Sequence, residues 1–181
     1  MKFPRILFRL AGMILLIFCL EGCTEPADQK EDGPLSGSPS QFEVTEAVDF
    51  ELPDLEKRPF RLSQHRGKPV LLIFSTTWCA YCRSELPRFR DIHERYASGG
   101  LVVVQIFIQE SQRKVSSFAR QNNLPYRVLL DEKGEVSEAY GIRGVPDMIL
   151  LDRNGKLVCR HCPDLDATLG PLLDKPRQGK G

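Results

Sequence analysis

The sequence predicts an α/β domain: a central mixed sheet with helices on both faces and an N-terminal β-hairpin extension. Three observations carry this prediction. Residues 70–74 are a continuous apolar run, the pattern of a strand buried on both faces, and residues 101–108 are a second apolar run rich in Val and Ile. Between them, residues 79–97 place Cys82, Leu86, Phe89, Ile92 and Tyr96 at spacings of three and four, the period of a helix. Near the C-terminus, Asp152-Arg153-Asn154-Gly155-Lys156 separates apolar residues 148–151 from 157–160, and an Asn-Gly step between apolar runs signals a hairpin.

The elements follow in order. Phe50-Glu51-Leu52 and Phe60-Arg61-Leu62 read as a short β element around a turn. Gly67-Lys68-Pro69 leads into the strand at 70–74, and Pro87 is expected to kink the helix at 79–97. After the strand at 101–108, Ser111 is placed to cap a helix carrying Val115, Phe118 and Ala119. Residues 126–130 form a further short strand, and a short helix at 136–140 ends at Gly141. The hairpin precedes a last helix at 164–173, with Leu165, Leu169 and Leu172 inward and Pro171 disturbing its final turns. The order implies a sheet parallel in its middle, with an antiparallel hairpin at one edge.

The chain has 181 residues and a mass of 20.5 kDa, enough for one domain with a substantial core. Its 25 basic and 24 acidic residues nearly cancel, which excludes a nucleic-acid binder resting on a broad basic surface. No nucleotide, flavin or haem motif occurs, so no cofactor is expected. Residues 1–22 read as a signal peptide, with Lys2, Arg5 and Arg9 ahead of an apolar run at 10–20. Leu20-Glu21-Gly22-Cys23 resembles a bacterial lipobox, in which the cysteine is lipid-modified, although Glu21 departs from the small or apolar residue usual there. Residues 23–45 are rich in Pro, Gly, Ser, Asp and Glu and read as a flexible tether. The folded domain is assigned to residues 46–175 and a C-terminal tail to 176–181. This organisation puts the domain outside the cytoplasm, held to a membrane by a lipid at Cys23, where disulfides persist.

Two pairs of cysteines carry the chemistry. Cys79-Ala80-Tyr81-Cys82 lies directly between a buried strand and a helix. A helix N-terminus offers unpaired N–H groups and a partial positive charge, so Cys79 is expected to have a depressed pKa and to attack as a thiolate. Cys82, one turn on, is placed to resolve the mixed disulfide. The alternatives are a static disulfide or half of a zinc site.

Trp78-Cys79-x-x-Cys82 after an apolar strand, with Gly144-Val145-Pro146 before another, resembles thioredoxin. The chain is more closely similar to the membrane-tethered TlpA/ResA-type thiol–disulfide oxidoreductases. The resemblance runs through Phe50-Glu51-Leu52-Pro53-Asp54-Leu55, Gly67-Lys68-Pro69-Val70, Asp131-Glu132-Lys133-Gly134, Tyr140-Gly141-Ile142 and the hairpin turn, over about residues 47–175. It implies a thioredoxin-like fold with Cys79 attacking and Cys82 resolving. It implies a cis bond before Pro146, Val145 backbone pairing with an extended substrate segment, and Trp78 on the surface around the disulfide. Glu85 stands where ResA-like members carry an acid, and a half-buried carboxylate there would exchange protons with the thiols; the plainer reading is a solvated first-turn Glu. Ile73 occupies the position of thioredoxin's buried acid. The Ala80-Tyr81 dipeptide and Asp147 after Pro146 depart from the family pattern.

The second pair, Cys159-Arg160-His161-Cys162, closes the hairpin's last strand. Residues i and i+3 of a regular strand are roughly 10 Å apart, so an internal disulfide requires the strand to break at His161 or Cys162. The two readings are a small structural disulfide and a second functional pair that exchanges with the first or binds a soft metal. The resemblance implies protein thiols and disulfides as substrates, with apocytochrome c or copper-site cysteines among them, an upstream protein electron donor, and work as a reductase. Rival readings are a copper-binding assembly protein and a thiol peroxidase, since Thr76-x-x-Cys79 resembles a peroxiredoxin site.

Overall fold

The computed structural model describes residues 46–173. The expected signal peptide, Cys23, the tether and the C-terminal tail lie outside the described residues. Seven strands and five helices are present among the described residues: β1 (Glu51–Pro53), β2 (Pro59–Arg61), β3 (Val70–Ser75), α1 (Ala80–Ser84), α2 (Leu86–Tyr96), β4 (Val102–Ile108), α3 (Gln112–Gln121), β5 (Arg127–Asp131), α4 (Glu135–Ala139), β6 (Asp147–Leu151), β7 (Leu157–Arg160) and α5 (Leu165–Leu169).

β1 and β2 form an antiparallel pair, and the other five strands form one sheet in the order β5-β4-β3-β6-β7. β3, β4 and β5 are parallel, while β6 and β7 run antiparallel to their neighbours. The parallel strands therefore fill one side of the sheet, and the β6–β7 hairpin forms the opposite edge. Every residue of β3 is buried, as its unbroken apolar run requires of a central strand.

Alternation along β3 divides the core. Val70, Leu72 and Phe74 face Phe50, Leu52, Phe60 and Val136, so the β1–β2 hairpin and α4 cover this face. Leu71 and Ile73 face Leu86, Phe89, Ile92 and Leu165, so α2 and α5 cover the other. Phe107 and Val128 extend the second face to Val115 and Ala119 of α3. Helices on both faces are thus present.

The differences from the sequence reading have local causes. The helix expected over 79–97 divides at Glu85. Pro87 has no N–H to donate to the Arg83 carbonyl, and it sits in the first turn of α2, where a missing donor costs little. Ser111 occupies the N-cap position of α3 but makes no capping bond; Glu132 Oε1 accepts from Gln112 N–H at 3.0 Å instead. The last helix shortens to five residues plus a 3₁₀ turn containing Pro171. The hairpin turn forms at 152–156, with Gly155 at φ +75°, where a side chain is strained.

Candidate active site

The topology brings four chain segments to one end of the sheet. Cys79 follows the carboxyl end of β3, and Glu110 follows the carboxyl end of β4, which is parallel to it. Pro146 precedes the start of antiparallel β6, and β7 ends beside that start, with Arg160 paired to Ile149.

Cys79 and Cys82 are joined as a disulfide with Cα atoms 5.2 Å apart. Cys79 is the N-cap of α1, and its Sγ accepts from Cys82 N–H at 3.0 Å. That is the interaction a thiolate at Cys79 needs once the pair is reduced. Cys79 is 8% exposed and Cys82 only 1%. Cys79 is thus the more accessible of the two buried cysteines.

The Val145–Pro146 bond is cis, and the Val145 carbonyl oxygen lies 3.6 Å from Cys79 Sγ. Trp78 and Tyr81 are 66% and 65% exposed, large aromatic faces on either side of Cys79 in sequence. Trp78 is therefore not a core residue. Glu85 has a side chain 20% exposed and accepts from Arg88 at 3.1 Å, one turn further along the helix. It lines a cleft together with Tyr81, Pro146 and Cys162. Ile73 is fully buried and packs with the α2 side of the core.

Cys159 and Cys162 are also joined, with Cα atoms 5.5 Å apart. The strand breaks where the disulfide requires: β7 stops at Arg160, and His161 turns to φ +50°. Cys162 is buried against Met148 and Phe89, while Cys159 is half-buried. The His161 N–H donates to the Met148 carbonyl at 2.9 Å, and His161 Nε2 lies 3.3 Å from Asp147 Oδ1. The second pair is thereby tied to the residue that follows Pro146. Asp147 is buried, so it does not point away into solvent.

Sequence reasoning missed Glu110. Its buried carboxylate accepts from Thr77 N–H and Thr77 Oγ1, both at 2.6 Å, and pairs with Lys114 at 2.6 Å. It pins the loop that carries Trp78 and Cys79. The only trace in the sequence is an acid and a lysine four residues apart at the start of a helix, a pattern common on solvated surfaces. Among the described residues, no group of three or more His, Cys, Asp or Glu side chains is arranged to hold a metal ion.

Comparison with known proteins agrees with this geometry. The sequence profile of the AhpC/TSA family matches residues 44–160. The thiol-disulfide oxidoreductase ResA of Bacillus thuringiensis subsp. konkukian is 30% identical over 165 residues, covering 87% of this chain and 88% of that one. ResA of Geobacillus thermodenitrificans is 36% identical over 111 residues, covering 61% of this chain and 64% of that protein, so this match spans just under two thirds of its length. Among solved structures, a Chlorobium tepidum chain described as a thiol:disulfide interchange protein DsbE aligns with a TM-score of 0.62 and 28% identity, over 74% of this chain and 86% of that one. The exposed lipoprotein thioredoxin of Streptococcus pneumoniae strain TIGR4 aligns with a TM-score of 0.57 and 30% identity, over 63% of this chain and 88% of that one.

Proposed function

Because the chain belongs to the AhpC/TSA family and, within it, to the ResA-type thiol–disulfide oxidoreductases, we propose that it works outside the cytoplasm as a reductase of disulfides in partner proteins. The observation that carries this reading is the Cys79–Cys82 pair at a helix N-cap, with Cys79 the more accessible of the two buried cysteines.

In the reducing direction, Cys79 attacks one sulfur of the substrate disulfide as a thiolate. A mixed disulfide forms, and the first substrate sulfur leaves as a thiolate that takes up a proton. Cys82, deprotonated, then attacks Cys79 Sγ and releases the second substrate sulfur. Two electrons pass from the dithiol to the substrate, and the Cys79–Cys82 disulfide remains. A dithiol of another protein, the upstream donor, restores the starting state. Val145 offers its backbone to an extended substrate segment, a form of strand addition, and Trp78 and Tyr81 offer apolar surface beside it. Glu85, half-buried in the adjoining cleft, takes the part of proton carrier between the thiols and solvent.

The residue pattern at 20–23 supports anchoring through a lipid on Cys23, with 23–45 as the tether of a domain at 46–175. Family resemblance supports apocytochrome c or copper-site cysteines as targets. Reduction of insulin disulfides, with dithiothreitol supplied, tests the reading. Wild type and Cys159→Ser/Cys162→Ser are expected to be active and Cys79→Ser inactive. Activity that survives in Cys79→Ser overturns the assignment.

A further inference from the structure

A groove of about 430 Å³ opens beside Pro146. Tyr81, Arg143, Val145, Asp147, Arg160 and His161 line it. Its charge is one-sided. Asp147 is the only carboxylate among the lining residues; its Oδ1 is buried and makes no hydrogen bond with a described residue, but it faces His161 Nε2 at 3.3 Å and Arg160 Nε at 3.7 Å. Arg143 is exposed and makes no hydrogen bond or ion pair with any described residue. One guanidinium thus stands uncompensated two residues from the backbone that faces Cys79. Its natural counterpart is an incoming carboxylate.

The second cysteine pair bears on the same groove. The Cys159–Cys162 bond closes a loop of four residues, and the two residues inside it, Arg160 and His161, are the groove's other cations or cation-forming groups. His161 is held in the left-handed region, which a side chain rarely adopts unaided. Arg160 also donates to the Tyr140 carbonyl. The disulfide therefore fixes the wall that faces Asp147, while Arg143 keeps no partner among the described residues.

We propose that this groove selects protein substrates with an aspartate or glutamate close to the target cysteine, and that the Cys159–Cys162 disulfide keeps the groove in its selective form. The inference rests on Cys79 and Cys82 being the exchanging pair. A segment paired along the Val145 backbone lies close to Arg143, two residues away in the chain. The acidic residue accordingly falls about two or three positions from the target cysteine.

Three disulfide-bonded peptides, identical except for Asp, Asn or Lys at that position, test it by their rates of reduction by the full-length protein with Cys79–Cys82 reduced and Cys159–Cys162 still oxidised, a state checked by mapping the free thiols. The Asp peptide is expected to react about fivefold faster than the Lys peptide at low salt, with the gap shrinking at high salt. Arg143→Glu is expected to reverse the order. Lys57→Glu, the same charge change in the β1–β2 turn, is expected to preserve it. Cys159→Ser/Cys162→Ser is expected to narrow the Asp-to-Lys ratio. Equal rates for the three peptides, or a preference untouched by Arg143→Glu, overturn the groove as a selector; a ratio unchanged in the double cysteine variant overturns the disulfide's part. Failure to reduce any of the peptides would instead contradict the exchange reading itself.

Discussion

Glu110 reaches the active-site loop from just beyond β4, the strand beside the one that leads into the cysteines. Its carboxylate holds both the backbone and the hydroxyl of Thr77. Glu110→Gln keeps the shape and removes the charge, so two short charge-assisted bonds and the Lys114 pair weaken. A loss of about 1.5–3 kcal/mol in unfolding free energy is expected. The pH profile of Cys79 alkylation, measured on reduced folded protein, is expected to shift as well, because the loop presenting Cys79 loosens; an unchanged profile would make Glu110 a stability residue only. Gln105 poses the opposite case. It is fully buried in β4, and neither polar atom of its amide has a hydrogen-bond partner among the described residues. Gln105→Leu is expected to raise stability by about 1 kcal/mol in urea denaturation; a loss would contradict this account of the side chain. Glu110 does not announce itself in the sequence, because it acts on Thr77, 33 residues away in the chain. Cys79, Cys82 and Pro146 do, because their chemistry depends on near neighbours: a strand end, a helix start and a turn.

At the scale of elements, one side chain joins the N-terminal hairpin to the sheet. Asp54 Oδ1 accepts from the N–H groups of Glu56 and Arg58, and Oδ2 faces Arg58 Nε at 2.9 Å and Arg127 Nε of β5 at 3.2 Å. Burial alone pushes this carboxyl up, but the Arg58 and Glu56 hydrogen bonds and the Arg127 charge outweigh it and hold its pKa below the ordinary value. A depressed folded-state pKa means stabilisation that is complete above the unfolded value, about 4, and is lost as pH falls through the folded value. Asp54→Asn is therefore expected to cost about 1.5–3 kcal/mol at neutral pH, with the gap to wild type narrowing in acid below about pH 4. Urea denaturation across that range checks it, and a gap independent of pH would contradict it. The strands and the hairpin turn were legible from apolar runs and the Asn-Gly step. The division of the long helix at Glu85 was legible only as a kink at Pro87, since where a proline breaks a helix depends on which carbonyl loses its donor. Ser111 stands at the N-cap of α3 as expected, but its side chain makes no capping bond, because the acceptor for Gln112 N–H, Glu132, arrives from another loop.

For the whole molecule, the strand directions explain why these residues meet. A parallel β3–β4 pair and an antiparallel β6–β7 hairpin bring two carboxyl ends, one strand start and another strand end to the same rim. Loops at such a rim are free to vary while the sheet stays fixed. The second cysteine pair lies there too, and the sequence reading of a broken strand followed from its spacing alone. Its proximity to Asp147 did not, because the 3.3 Å approach of His161 to Asp147 requires knowing that β6 and β7 are partners. The most direct test of the central claim is to trap the intermediate. Cys82→Ser, reduced and mixed with a disulfide-bonded protein substrate, is predicted to accumulate a mixed disulfide whose peptide map places the bond at Cys79. A mixed disulfide at Cys159 or Cys162, or none at all in the presence of a substrate that wild type reduces, would contradict the account.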